Sequence, residues 1–111
     1  MNSGTEFLNL TLEQGNLFTS PPILLELTSS PKLTENERQL FRSLPALELT
    51  SGVWERAGEL RRKLLKFRLK ARAMDCLIAQ ICIDTNVSLL TKDSDFRHFL
   101  RFGLKLSLAN R

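Results

Sequence analysis

The sequence predicts an α/β protein built on a mainly parallel sheet. Helical patterns alternate with four short strand candidates along the chain. In addition, the stretch Met74–Ile83 is apolar nearly all round and leads into the short apolar run Val87–Leu90. That is the pattern of a mostly buried helix feeding an interior strand. At 111 residues the chain is read as one domain over 1–111, with a single core.

The elements follow in order. Ser3 with Glu6 fits a capping box, with Phe7, Leu8 and Leu12 on one face of a short helix that Gly15 ends. Leu17–Thr19 is the first strand candidate. Ser20-Pro21-Pro22 reads as a cap followed by proline in the first turn, opening a helix through about Leu27. Thr34 and Glu37 form a second capping box, and Leu40, Phe41 and Leu44 give the next helix an apolar side until Pro45 stops it. Leu47–Leu49 is the second strand candidate.

Thr50 or Ser51 can cap the clearest helix, where Val53, Ala57, Leu60, Leu64 and Phe67 line one face, with Glu59 and Lys63 paired outside. Next comes the apolar helix from Ala73 to about Thr85, then the Val87–Leu90 strand. A helical turn over Phe96–Leu100 and Gly103 follow. Leu104, Leu106 and Leu108 alternate with Lys105 and Ser107, as in a half-exposed edge strand.

Composition narrows the classes. The longest apolar stretch is interrupted by Asp75 and Gln80, and is half of the roughly 20 residues a membrane crossing needs. The N-terminus has no cationic lead and apolar core, which leads to a cytoplasmic expectation with no membrane partner. Cys76 and Cys82 then read as reduced core thiols, and with the single His98 they make no zinc pattern. Sixteen basic residues face twelve acidic ones, for a net charge of +4. Seven of the basic residues (Arg61, Arg62, Lys63, Lys66, Arg68, Lys70 and Arg72) fall in one stretch without an acid. Such a stretch attracts a phosphate backbone, and it also fits a solvated helix face with its loop.

Four carboxylates stand where a carboxylate calls for a reason. Asp75 opens the most apolar helix; a favourable interaction with the helix end, worth under about 1 kcal/mol, accounts for it as readily as a site does. Glu26 interrupts Ile23-Leu24-Leu25 and Leu27, which an exposed helix face explains equally well. Asp93 and Asp95 directly follow a strand end, where open parallel sheets bind ligands, and where a turn with a cap would also place them. Several carboxylates without a histidine cluster suit Mg²⁺ or Mn²⁺ better than zinc, and such ions serve phosphodiester hydrolysis.

These residues resemble a known family. Ala57-Gly58-Glu59-Leu60, then Asp75-Cys76-Leu77-Ile78-Ala79, then Leu89-Leu90-Thr91-Lys92-Asp93-Ser94-Asp95-Phe96 are similar to the C-terminal half of PIN domains of the VapC toxin type. Ser20-Pro21-Pro22-Ile23-Leu24-Leu25-Glu26-Leu27 is similar to that family's earlier acidic segment, so the likeness runs from about Gly15 to Leu106. The resemblance implies an α/β/α sandwich with a parallel sheet, and a Mg²⁺- or Mn²⁺-dependent nuclease that cuts single-stranded RNA. It implies that Glu26, Asp75, Asp93 and Asp95 hold the metals, with Thr91 as a supporting hydroxyl. Arg61, Arg62, Lys66, Arg68, Lys70 and Arg72 are then the candidate RNA-binding residues. The family's partners are a cognate antitoxin, which masks the acids, and a second copy in a homodimer.

Two departures from the family pattern stand out. The family begins with a central strand that carries a principal acid, and nothing before Glu26 fits it: Glu6 and Glu13 sit in the helical pattern. The sheet is therefore expected to be incomplete at its N-terminal side, with strands flanking a gap, and cleavage by this chain to be weak or absent. The second is at Arg68, near the place where the family's loop usually holds a glycine. Three readings remain at this point: an active PIN ribonuclease whose true start lies upstream of Met1, so that 1–111 is an N-terminally truncated domain, a PIN remnant that only binds a protein or dimerises, and an unrelated α/β binding module whose acids are caps.

Overall fold

The structure is a computed structural model that describes residues 9–13, 16–91 and 93–108. It contains β1 (Asn9–Glu13), β2 (Asn16–Phe18), α1 (Pro21–Ser29), α2 (Glu35–Ser43), α3 (Val53–Lys66), α4 (Ala73–Thr85), β3 (Ser88–Thr91), a 3₁₀ helix (Ser94–Phe102) and β4 (Lys105–Leu108). The α/β class is as the sequence predicts.

The sheet order is β2-β1-β3-β4. β1 runs antiparallel to both neighbours, with Thr11 opposite Phe18 on one side and Leu89 on the other, while β3 and β4 are parallel. Three of the four strands therefore point one way and β1 alone is reversed. An isolated parallel bridge, Thr19 to Ala46, extends the pattern beyond β2. The expected gap is absent, because β1 occupies the place between β2 and β3. The expected helix, carrying Leu12 and ended by Gly15, is corrected at Leu12, which is in β1; Ser3, Glu6, Phe7, Leu8 and Gly15 lie outside the described residues. Thr11 explains why a strand wins. It is fully buried and its hydroxyl donates to the Phe18 carbonyl at 2.8 Å, satisfying a polar group inside the sheet.

The other elements follow their local signals, with a few corrections. The Thr34 capping box forms in both directions, with Glu37 N donating to Thr34 Oγ1 at 3.1 Å and Thr34 N to Glu37 Oε1 at 2.9 Å. On α2 only Phe41 is buried, and Leu40 is exposed. The Leu47–Leu49 strand reduces to the bridge at Ala46, flanked by bonds from Thr19 N to Pro45 O and from Leu47 N to Thr19 O. Neither Thr50 nor Ser51 caps α3. Gly52 does so in a left-handed conformation (φ 79°), and the Thr50 hydroxyl donates instead to Asp84 at 2.7 Å. Glu59 pairs with Arg62 at 3.6 Å rather than with Lys63.

Val53, Ala57, Leu60 and Leu64 are buried on α3 as the spacing requires, but Phe67 lies past the helix end, exposed, with the Arg101 guanidinium 5.1 Å from its ring centroid. Val53 and Ala57 pack with Leu77 and Ile81 of α4, while the opposite side of α4, with Ile78, Ala79 and Cys82, joins Ile23, Leu64, Leu89, Phe96 and Phe99 in the main core. α4 is thus buried on two sides, which its nearly all-round apolar pattern foretold. No described helix is long and apolar enough to cross a membrane.

Candidate active site

The carboxyl end of β3 positions the first part of the site. Thr91 ends the strand fully buried, and its Oγ1 accepts from Asp93 N at 3.0 Å. Asp93 in turn caps the 3₁₀ helix, its Oδ1 accepting from Asp95 N at 2.9 Å. The Thr91–Asp93–Asp95 spacing therefore turns the chain sharply out of the sheet and holds both aspartates at its edge. The cap expected as the alternative for these acids is real, and it coexists with their placement just beyond the carboxyl end of β3.

The second part is the start of α4. Asp75 sits in its first turn and Arg72 is the N-cap residue, with Cys76 N donating to Arg72 O at 3.0 Å. Arg72 joins the two parts. Its Nε donates to Asp75 Oδ2 at 3.1 Å, and its Nη2 lies 3.5 Å from Asp93 Oδ2. Lys70 Nζ lies 3.1 Å from Asp95 Oδ2. Burial pushes the Asp75 carboxyl above the usual range; Arg72 pulls it back in part, and the charges on Asp93 and Asp95 add to the rise. Asp75, chiefly by its charge, raises Arg72 in turn, with smaller help from Asp93 and Asp95.

Asp75, Asp93 and Asp95 are thus brought into one neighbourhood, while Glu26 lies on an exposed part of α1. Among the described residues, no group of three or more carboxylate, histidine or cysteine side chains gathers closely enough to hold a metal ion. The donors are of the right hard-oxygen chemistry, but as arranged they are compensated by Arg72 and Lys70, so they do not fit a Mg²⁺ or Mn²⁺ centre. Within β1, the acid Glu13 is no substitute for a first-strand ligand. Asn9 pairs with Thr91 at the Asp93 edge, and because β1 is reversed, Glu13 stands about 13 Å farther along the strand.

The predicted RNA-binding residues divide into two sets. Arg61, Arg62 and Lys66 line an open groove of about 450 Å³ on α3, floored by Gly58 and Leu65. Arg61 is also structural, donating from Nε to Ala71 O at 2.8 Å. Lys70 and Arg72 are drawn to the acids, and Arg68 is held left-handed (φ 61°) at the turn between the sets. The groove's apolar floor was not anticipated, although the 58–61–65 spacing on one helix face carries it. Also missed was a polar tie in which Asp84 accepts from Thr50, from Arg56 Nη2 at 2.6 Å and from Gln80 Nε2 at 2.9 Å. It links the α3 entry to the end of α4.

The PIN domain model matches residues 4–100. The chain belongs to the PIN-domain family. The match begins before β1, so the reversed strand lies within the region assigned to the PIN domain and not outside it. PIN domains are generally nucleases that use divalent metal ions, and the helix–sheet architecture around Asp75 and Asp93 is consistent with that fold. No curated protein matches the chain.

Proposed function

We propose that this PIN domain is of the VapC toxin type and engages single-stranded RNA, with weak cleavage because Arg72 and Lys70 already occupy the aspartates and Glu13, the acid of β1, stands away from their edge. The observation that carries the reading is the continuity of the basic stretch with the acids: from Arg61 to Arg72 no acid intervenes, and the stretch ends on Asp75, Asp93 and Asp95. A phosphate backbone lying along Arg61, Arg62 and Lys66 is led by Arg68, Lys70 and Arg72 to the edge where the carboxylates stand. Binding rests on these cations and is expected in full. Cleavage in the family depends on Mg²⁺ or Mn²⁺, which these acids do not gather as arranged.

The test is cleavage of a single-stranded RNA in Mn²⁺ by the chain beside Asp75→Asn. Slow cutting that disappears in the variant is expected. Cutting that survives Asp75→Asn, or a folded chain that does not bind the RNA, refutes the reading.

A second reading is favoured by exposed Trp54, Leu65 and Phe67 on and just after α3. A PIN remnant would use such a surface for a cognate antitoxin or a second copy. A chain that is dimeric in solution yet indifferent to RNA would select this reading.

A further inference from the structure

Arg72 touches two carboxylates that come from different parts of the fold, Asp75 of α4 and Asp93 after β3. Its position is built rather than incidental. The loop that carries it leaves α3 through Leu69 N bonded to Leu64 O at 3.0 Å and the left-handed Arg68. Arg61 then clamps Ala71 O at 2.8 Å, and Arg72 O is the first acceptor of α4. Backbone bonds on both sides therefore deliver the guanidinium to the acids. One planar fork with several donors can satisfy two carboxylates at once in a fixed geometry, which the rotating point charge of a lysine holds less firmly. With Lys70 on Asp95, two positive charges occupy the space around the three aspartates.

We propose that Arg72 is a built-in counter-cation that closes the Asp75–Asp93 pair against divalent ions. This rests on the reading of Asp75 and Asp93 as the family's acids. A divalent ion entering the pair competes with a guanidinium already there, and the positive charge a few Å away opposes it even if the contacts yield. Arg72 remains more than half exposed, so its side chain has solvent to move into once the contact is lost.

The test measures Mn²⁺ binding by electron paramagnetic resonance, alongside the thermal midpoint with and without Mn²⁺, for the parent, Arg72→Gln, Arg72→Lys and the double variant Arg72→Gln/Asp75→Asn. Removing a unit charge beside a doubly charged ion is expected to tighten Mn²⁺ binding about tenfold or more. Arg72→Lys, which keeps the charge but loses the planar fork, should gain less, and it serves as the readout if Arg72→Gln does not fold. The gain should vanish in the double variant. Mn²⁺ should raise the midpoint of Arg72→Gln more than that of the parent. Equal, measurable Mn²⁺ affinity in parent and Arg72→Gln overturns the closure and leaves the acids as metal ligands. No Mn²⁺ binding in any variant overturns the closure together with the assignment of the acids, whatever the RNA measurements show.

Discussion

Thr11→Ala separates a reversed central strand from a helix in the same residues by the sign of its effect. In β1 the Thr11 side chain is fully buried and its hydroxyl donates to Phe18 O. Alanine removes a buried methyl-sized group, worth about 0.8 kcal/mol. It also removes a hydrogen bond of about 1 kcal/mol and places a poorer strand former between two neighbours, on a scale spanning about 1 kcal/mol. The expected loss is roughly 2–3 kcal/mol. Were these residues an exposed helix, alanine would be the better residue and the chain would gain a few tenths to about 0.7 kcal/mol. Urea unfolding followed by far-ultraviolet circular dichroism reads the difference as a shift in midpoint at constant slope. A midpoint unchanged or raised by Thr11→Ala would refute the central placement of β1.

Three further outcomes follow from particular contacts. Arg68→Gly relieves a left-handed side chain costing about 1–2 kcal/mol, partly offset by glycine's entropy of about 0.5–1 kcal/mol, so a small net rise in urea midpoint is expected. A fall would show that Arg68 makes a contact worth more than its strain. For Asp84, burial raises the pKa, but hydrogen bonds from Arg56, Thr50 and Gln80 outweigh it and hold it below the ordinary value. The group is depressed on folding, so its stabilisation is present above the unfolded pKa and is lost as pH falls through the folded one. Asp84→Asn should therefore be less stable than the parent at neutral pH and converge with it in acid; parallel stability–pH curves would contradict this. Burial pushes the Cys76 thiol to about 11 and the Cys82 thiol to about 12, so iodoacetamide at pH 8 should label both far more slowly in the folded chain than in urea. Rapid labelling of the native protein would argue against the α4 core.

Much of the fold was legible because its signals are local. The Thr34–Glu37 box, the four-three-four spacing of Val53, Ala57, Leu60 and Leu64, and the all-round apolar Ala73–Thr85 each determine a helix whatever packs on it. Arg68, picked out by its place in a loop, takes the left-handed conformation that glycine favours. What was not legible depends on distant partners. Leu10 and Leu12 alternate with Thr11 and Glu13, a period of two, but Leu8 and Leu12, four apart, also fit one helix face, and only Phe18 and Leu89 decide between them. Phe67 continues the apolar spacing of α3, yet the helix ends one residue earlier and the ring stays exposed, with the Arg101 guanidinium near it. At the site, the order of Asp75, Asp93 and Asp95 could be read directly. The insertion of Arg72 between Asp75 and Asp93 could not, since it requires knowing that β3 ends beside the start of α4.

The claim that the basic stretch carries RNA to the acids is tested most directly by the salt dependence of single-stranded RNA binding, in the parent and in Arg62→Ala/Lys66→Ala. Both side chains line the groove on α3 and neither contacts the acids through an ion pair. For single strands the logarithm of the binding constant falls with that of salt by about 0.7 per phosphate neutralised, so removing two contacts should lower the slope by about 1.4 and weaken binding. A parent that binds with a steep slope, and a variant that loses about that much of it, is the predicted result. Binding that ignores salt, or a slope unchanged by the double substitution, would contradict it.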